Sequence, residues 1–96
     1  MTIAFHPDAE EELVESIHYY NDLEEGLGED FAMSIVNTLH RIIEFPNGWQ
    51  IVDDNIRRSL VHRFPFGILY SVDEKHIYVL AVMHLQREPN YWVERK

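Results

Sequence analysis

The chain has 96 residues and no cysteine, so it is read as one domain without disulfides, thiolate metal sites or a cysteine nucleophile. With 46% apolar and 26% charged residues the composition excludes a disordered chain, and a net charge of -9 argues against a generic nucleic-acid binder. That total hides a split: residues 1–54 hold thirteen acids against Arg41 alone, net -12, whereas residues 55–96 hold four acids against seven bases, net +3, so an anion-facing surface belongs to the second half.

The first segment, Thr2-Ile3-Ala4-Phe5, alternates like a strand and stops at His6-Pro7. It lacks the basic start and apolar run of a signal peptide, and no stretch approaches the roughly 18 apolar residues of a membrane span, so a reducing cytoplasm is the expected compartment. Pro7 suits the first position of a helix, where its missing N–H would be unpaired anyway, and Asp8, Glu10, Glu11 and Glu12 crowd a first turn that favours negative charge. The spacing of Ala9, Leu13, Ile17 and Tyr20, flanked by Val14, predicts a helix over Pro7 to about Glu25 with one apolar stripe. Its acidic side, with Glu11, Glu12, Glu15 and Asp22, reads as a solvated surface.

Gly26-Leu27-Gly28 supplies a break in which Gly26 takes a left-handed C-terminal position, and Glu29 with Asp30 opens a second helix. Phe31, Ile35, Leu39 and Ile42 recur at helical spacing, broadened by Ala32, Val36 and Ile43, until Pro46-Asn47-Gly48 stops them. So short a link requires the two helices to lie antiparallel, each with an apolar face in need of a third layer. Strands are predicted over Ile56–Phe64, Phe66–Val72 and His76–Leu85, with Asp73-Glu74-Lys75 as a hairpin loop. The last strand is apolar on both sides, Ile77, Val79, Ala81 and Met83 alternating with Tyr78, Leu80 and Val82, and is expected at the sheet centre. A final helical turn fits the tail that begins at Pro89. The fold class is α+β: an N-terminal strand, an antiparallel helical hairpin packed on an antiparallel sheet, and a short C-terminal helix, with residues 1–96 as a single domain.

Taken in order, several short segments are shared with a known family: Tyr19-Tyr20, Gly26-Leu27-Gly28 with Phe31, Pro46, Ile56-Arg57-Arg58, Arg63-Phe64-Pro65-Phe66, Ile68-x-Tyr70, Val79-Leu80-Ala81-Val82-Met83-His84, Arg87-x-Pro89 and Tyr91-Trp92. No single piece is diagnostic, but the ordered set spans nearly the whole chain and resembles the RelE/ParE toxin superfamily, closer to its ParE-like branch. The resemblance implies the toxin of a type II toxin–antitoxin module, neutralised by a cognate antitoxin whose flexible segment wraps it. It further implies that the target is DNA gyrase, as for ParE-like members, or, in the RelE-like alternative, mRNA cleaved in the ribosome. A relative that keeps the fold without toxicity is a third reading, since a charge of -9 departs from the basic character usual in the family.

The binding residues expected from the second half are Arg57, Arg58, Arg63, Arg87, Tyr91, Trp92 and Arg95. By the two-residue repeat Arg57, Ser59, Val61 and Arg63 share a strand face, where paired arginines could hold phosphate or carboxylate bidentately; the plainer alternative is that these arginines pair with the acidic helices. Tyr91-Trp92 is either an interface anchor beside Arg87 and Arg95 or a cap on the open end of the sheet. For ribonuclease chemistry, Arg63, His84, Arg87 and Tyr91 are the set that could stabilise a phosphorane and move protons, against which stand only two lysines to grip ribosomal RNA. His84 can equally be a hydrogen-bonded residue at the core edge. His6, His18, His40, His62 and His76 share no ligand spacing, so neither metal nor cofactor is expected. Exposed sheet surface and a helical groove predict that the isolated chain can pair with itself.

Overall fold

A computed structural model describes residues 1–96, and its elements run in the order expected from the sequence with one addition. Strand β1 (Thr2–Phe5) feeds helix α1 (Pro7–Leu23), whose start is capped by His6: its Nδ1 accepts the Asp8 N–H at 3.0 Å. Helix α1 stops two residues short of the predicted Glu25, because Glu24 is already extended and the left-handed Gly26, at φ 87°, serves as the cap that starts α2 (Leu27–Glu44). The second helix therefore begins before Glu29 and Asp30, which fill its first turn as its dipole favours.

Close packing of the helical hairpin centres on Gly28. A Cβ there would stand 2.4 Å from the Ile17 carbonyl oxygen and 2.5 Å from Asn21 Cγ, so only glycine lets the two backbones meet. The Gly28 N–H donates to Asn21 Oδ1 at 2.7 Å, which satisfies one of the open donors at the start of α2. Further along the hairpin Tyr20, Phe31, Phe64 and Phe66 form an aromatic cluster with ring centroids 4.8 to 6.2 Å apart, Phe31–Phe66 being the shortest at 4.8 Å and Tyr20–Phe66 the longest at 6.2 Å.

The addition is β2 (Gln50–Asp53), a four-residue edge strand absent from the sequence prediction. It pairs antiparallel with β3 (Ile56–Leu60), through a turn that holds Asp54 at φ 45°. Strand β3 is shorter than Ile56–Phe64: the chain leaves the ladder after Leu60, and Arg63 adopts φ 75° in the turn towards β4 (Phe66–Asp73). Arg63 consequently does not share a strand face with Arg57. A tight turn at Glu74 then leads into β5 (His76–His84).

The sheet order is β1-β5-β4-β3-β2, with β1 parallel to β5 and the other pairs antiparallel. Strand β5 is interior, but β4 holds the centre, because β2 extends the far edge. The register slips between Tyr70↔Val79 and Leu69↔Ala81, which places Leu80 in a bulge. That slip corrects the alternation expected for β5: Ile77, Val79 and Val82 face the helices, whereas Leu80, Ala81 and Met83 face the other way. The helices cover the first face, α1 over β5 and α2 against β3. On the second face Trp92, 4% exposed, closes a smaller cluster with Ile56, Leu69, Leu80, Ala81 and Met83, just before a 3₁₀ turn at Val93–Arg95. No helix is long and apolar enough to cross a membrane.

Two tests follow from this packing. Gly28→Ala forces the hairpin apart and lowers stability by about 1–3 kcal/mol in a thermal melt, an overpacking cost; an unchanged Tm would show that the contact is not tight. Buried Tyr70 donates to the Pro46 carbonyl at 2.8 Å, and burial pushes its phenol up to about 12 against the lowering influence of Arg57. The folded state thus favours the neutral phenol, and the stability this contributes is complete below the ordinary value of 10.0 and lost as pH rises towards about 12. Alkaline titration of the protein against Tyr70→Phe should show the Tyr70 phenolate appearing only with unfolding.

Candidate docking site

Glu12 gathers the end of β5 and the C-terminal tail around one carboxylate. It stands three residues after Ala9, beside the apolar stripe of α1, and its side chain is only 13% exposed, contrary to the solvated surface its sequence context suggests. Oε1 accepts the Val82 N–H at 3.0 Å, and both oxygens receive the Arg95 guanidinium, Nη1 and Nη2 each at 3.0 Å. Tyr91 Oη donates to Oε2 at 2.8 Å, and Arg87 approaches the same oxygen at 3.7 Å. Arg87 also lies 3.9 Å from the centre of the Tyr91 ring, and Arg95 lies 5.0 Å from it.

The electrostatics follow from this geometry. Burial pushes the Tyr91 phenol well above its ordinary value, and the hydrogen bond to Glu12 adds to the shift. For Arg95, burial is the largest single influence and works against the charge, but the Glu12 hydrogen bond and the charges of Glu12, Tyr91 and Asp8 together exceed it and leave the guanidinium more firmly protonated than usual. Arg95 also reaches Asp8 at 3.8 Å and donates to the Leu80 carbonyl at 3.0 Å. At the end of the chain Lys96 pairs with Asp53 and Asp54, whose hydrogen bonds raise its pKa. The open side of the cluster is a cleft of about 1150 Å³, walled by Arg87, Tyr91 and Arg95 and opposed by His6, Asp8 and Asp53.

Of the residues singled out in the sequence, the structure thus brings together Arg87, Tyr91 and Arg95. Arg57 instead donates to the Trp49 carbonyl at 2.7 Å. Arg63 pairs with Asp30 at 3.2 Å on an exposed surface and stacks on Phe64. Arg58 lies on the sheet face that carries Trp92, and Trp92 itself is a buried cap. His84 accepts the Gln86 N–H on Nδ1 at 3.1 Å and packs edgewise on Phe66, which makes it the core-edge residue weighed above. Together with Arg87, it borders a separate cavity of about 330 Å³ floored by Tyr20, Phe66 and Val82. No group of three or more histidine, cysteine or acidic side chains is arranged to hold a metal ion.

Comparison with known proteins agrees with the architecture. The family described as "ParE toxin of type II toxin-antitoxin system, parDE" matches residues 3–89. Among solved structures, a chain from the "Chromosomal ParDE TA system from P. aeruginosa" superposes with a TM-score of 0.77 at 19% identity, covering 90% of this chain and 97% of that one. No curated protein matches the sequence.

Removing either half of the central ion pair leaves a charge stranded in a low-dielectric site. Glu12→Ala or Arg95→Ala should each cost about 3 kcal/mol, or roughly 15 °C in Tm, and the double variant less than the sum of the two. Additive losses in that cycle would show that the two side chains act separately.

Proposed function

We propose a function from one established premise: the chain belongs to the ParE toxin family of type II toxin–antitoxin systems. On that footing the protein is a toxin restrained by a cognate antitoxin, and it acts by binding its target, DNA gyrase, rather than by cutting RNA. The reading places it in the cytoplasm, where gyrase and a freshly made antitoxin meet. The observation that carries binding over cleavage is the occupancy of the basic cluster by Glu12. A phosphorane needs cations free to receive its charge, whereas Arg87 and Arg95 already face a carboxylate. Tyr91, with His84 one of the two groups that could move protons in such chemistry, gives its hydrogen to the same carboxylate and is shifted away from ionisation.

Charge supports the same choice. A chain of net -9 with two lysines is repelled by ribosomal RNA, while a protein surface makes no such demand. Arg63, held by Asp30, has separate partners from Arg87, so the four-residue nuclease set does not share one network.

The test combines three assays. Induction of the gene alone should arrest bacterial growth, and co-expression of the neighbouring reading frame should restore it. The purified chain at micromolar concentration should slow supercoiling by gyrase and leave message intact in a translation extract. Untouched supercoiling overturns the gyrase reading, cut message replaces it with ribosome-dependent cleavage, and normal growth at good expression identifies a harmless relative.

A further inference from the structure

The helical hairpin packs on one face of the sheet over β5 and β3, and the tail packs on the other through Trp92. On that second face the register sets Leu60, Gly67 and Met83 in one row and Arg58, Leu69 and Ala81 in the next; Leu69, Ala81 and Met83 are buried with Trp92, Arg58 is half-buried, and Leu60 is left at the surface. Leu60 is 51% exposed, and Leu85, just beyond β5, is 42% exposed. Gly67 forms the floor of this saddle: a Cβ there would stand 3.2 Å from Arg58 Cγ and Cδ and 3.6 Å from Leu85 Cδ2, so both side chains lie across it. Beside the Arg58 stem opens a cavity of about 120 Å³, lined by Val52, Leu69, Met83, Pro89 and Trp92.

Arg58 differs from the five other arginines. Arg41 donates to Thr38, Arg57 to the Trp49 carbonyl and Arg63 to Asp30, and Arg87 and Arg95 engage Glu12. Arg58 makes neither a hydrogen bond nor an ion pair within a chain that carries 17 acids. Its stem is fixed on the glycine while its five donors remain open. An arginine so placed, between exposed leucines and next to a buried tryptophan and a methionine, has the composition of an interface hot spot.

We infer that the surface formed by Arg58, Leu60 and Leu85 is the docking surface for a protein segment that brings a carboxylate to Arg58 and an apolar side chain of leucine size to the cavity beside Trp92. Charge complementarity selects that occupant: the guanidinium fork matches a carboxylate bidentately, and the apolar surroundings exclude the water that would weaken the pair. Nucleic acid fits poorly, since a single free arginine cannot offset the repulsion of a chain at net -9. A second copy docked about a two-fold axis through the patch would set one Arg58 against the other. The inference deepens the toxin reading and rests on it in one respect, that the segment belongs to the restraining antitoxin.

The test is a selection of random peptides displayed on phage against the full chain, run in parallel on Arg58→Glu and on Lys75→Glu, which makes the same charge change at the β4–β5 turn. The expected result is a consensus with Asp or Glu near Leu, Ile or Val. A synthetic peptide of that consensus should lose about tenfold in affinity for Arg58→Glu and keep it for Lys75→Glu, with thermal melts establishing that both variants are folded. A basic consensus, equal binding to Arg58→Glu, equal weakening by Lys75→Glu, or no enriched peptide at all overturns the inference. Because the selection is made on the isolated chain, its failure is distinct from a failure to arrest growth, which bears on the toxin reading alone.

Discussion

The pairing of Glu12 with Arg95 closes a gap that the backbone leaves open. Strand β1 accompanies β5 only from His76 to Val79, and beyond that point the Leu80 carbonyl and the Val82 N–H have no neighbouring strand. Arg95 donates to the first and Glu12 accepts the second, each at 3.0 Å, while the two side chains hold each other through a two-pronged contact. An ion pair thus stands where the next residues of β1 would have been, and the buried backbone groups of an internal strand remain satisfied. The pair links three elements distant in sequence: α1, the free half of β5 and the tail. A buried ion pair is not in itself a strong source of stability, because desolvation offsets much of the attraction, but it penalises every arrangement in which one member is missing. Its contribution is to fix where the tail lies.

This use of charge explains how so acidic a chain treats its bases. The seven bases of residues 55–96 suggest an anion-binding surface when they are counted, yet five of them, Arg57, Arg63, Arg87, Arg95 and Lys96, are paired with acids of the N-terminal half or with a backbone carbonyl. What remains is a negative helical surface, Lys75 at the β4–β5 turn and one unengaged arginine, Arg58, on an apolar background. Long-range attraction to nucleic acid is lost in this arrangement, while short-range recognition of a protein segment is retained, because a desolvated guanidinium acts over a few ångströms and is little affected by net charge.

How much of this was legible in the sequence depends on the range of the interactions concerned. The helical hairpin was, because stripes of period three to four and a left-handed glycine are local signals. Strand β2 was not: Gln50-Ile51-Val52-Asp53 is four residues long and is a strand only through its pairing with β3. The facing of β5 failed for a similar reason, since Leu80 looks like its neighbours and the bulge arises from pairing with β4. Arg87, Tyr91 and Arg95 could be grouped because they lie within nine residues of one another. Glu12 could not, as its partners are 70 to 83 residues away. The one local hint was its place beside the apolar stripe of α1, three residues after Ala9, where a carboxylate must find partners or face the sheet unpaired.

The tail joins the two faces of the sheet physically. Tyr91 and Arg95 hold it to Glu12 at the β5 edge, whereas Trp92, between them, turns onto the opposite face and forms a wall of the cavity beside Arg58. Adjacent residues cannot move independently by more than a bond rotation, so the position of the Trp92 ring is set by contacts made on α1. A segment seated against Trp92 would therefore meet a wall whose rigidity derives from the Glu12 pair, and anything that loosened that pair would also soften the cavity. The acidic helix and the apolar sheet face are joined through a stretch of five residues, and the ion pair at the sheet edge holds that stretch in place.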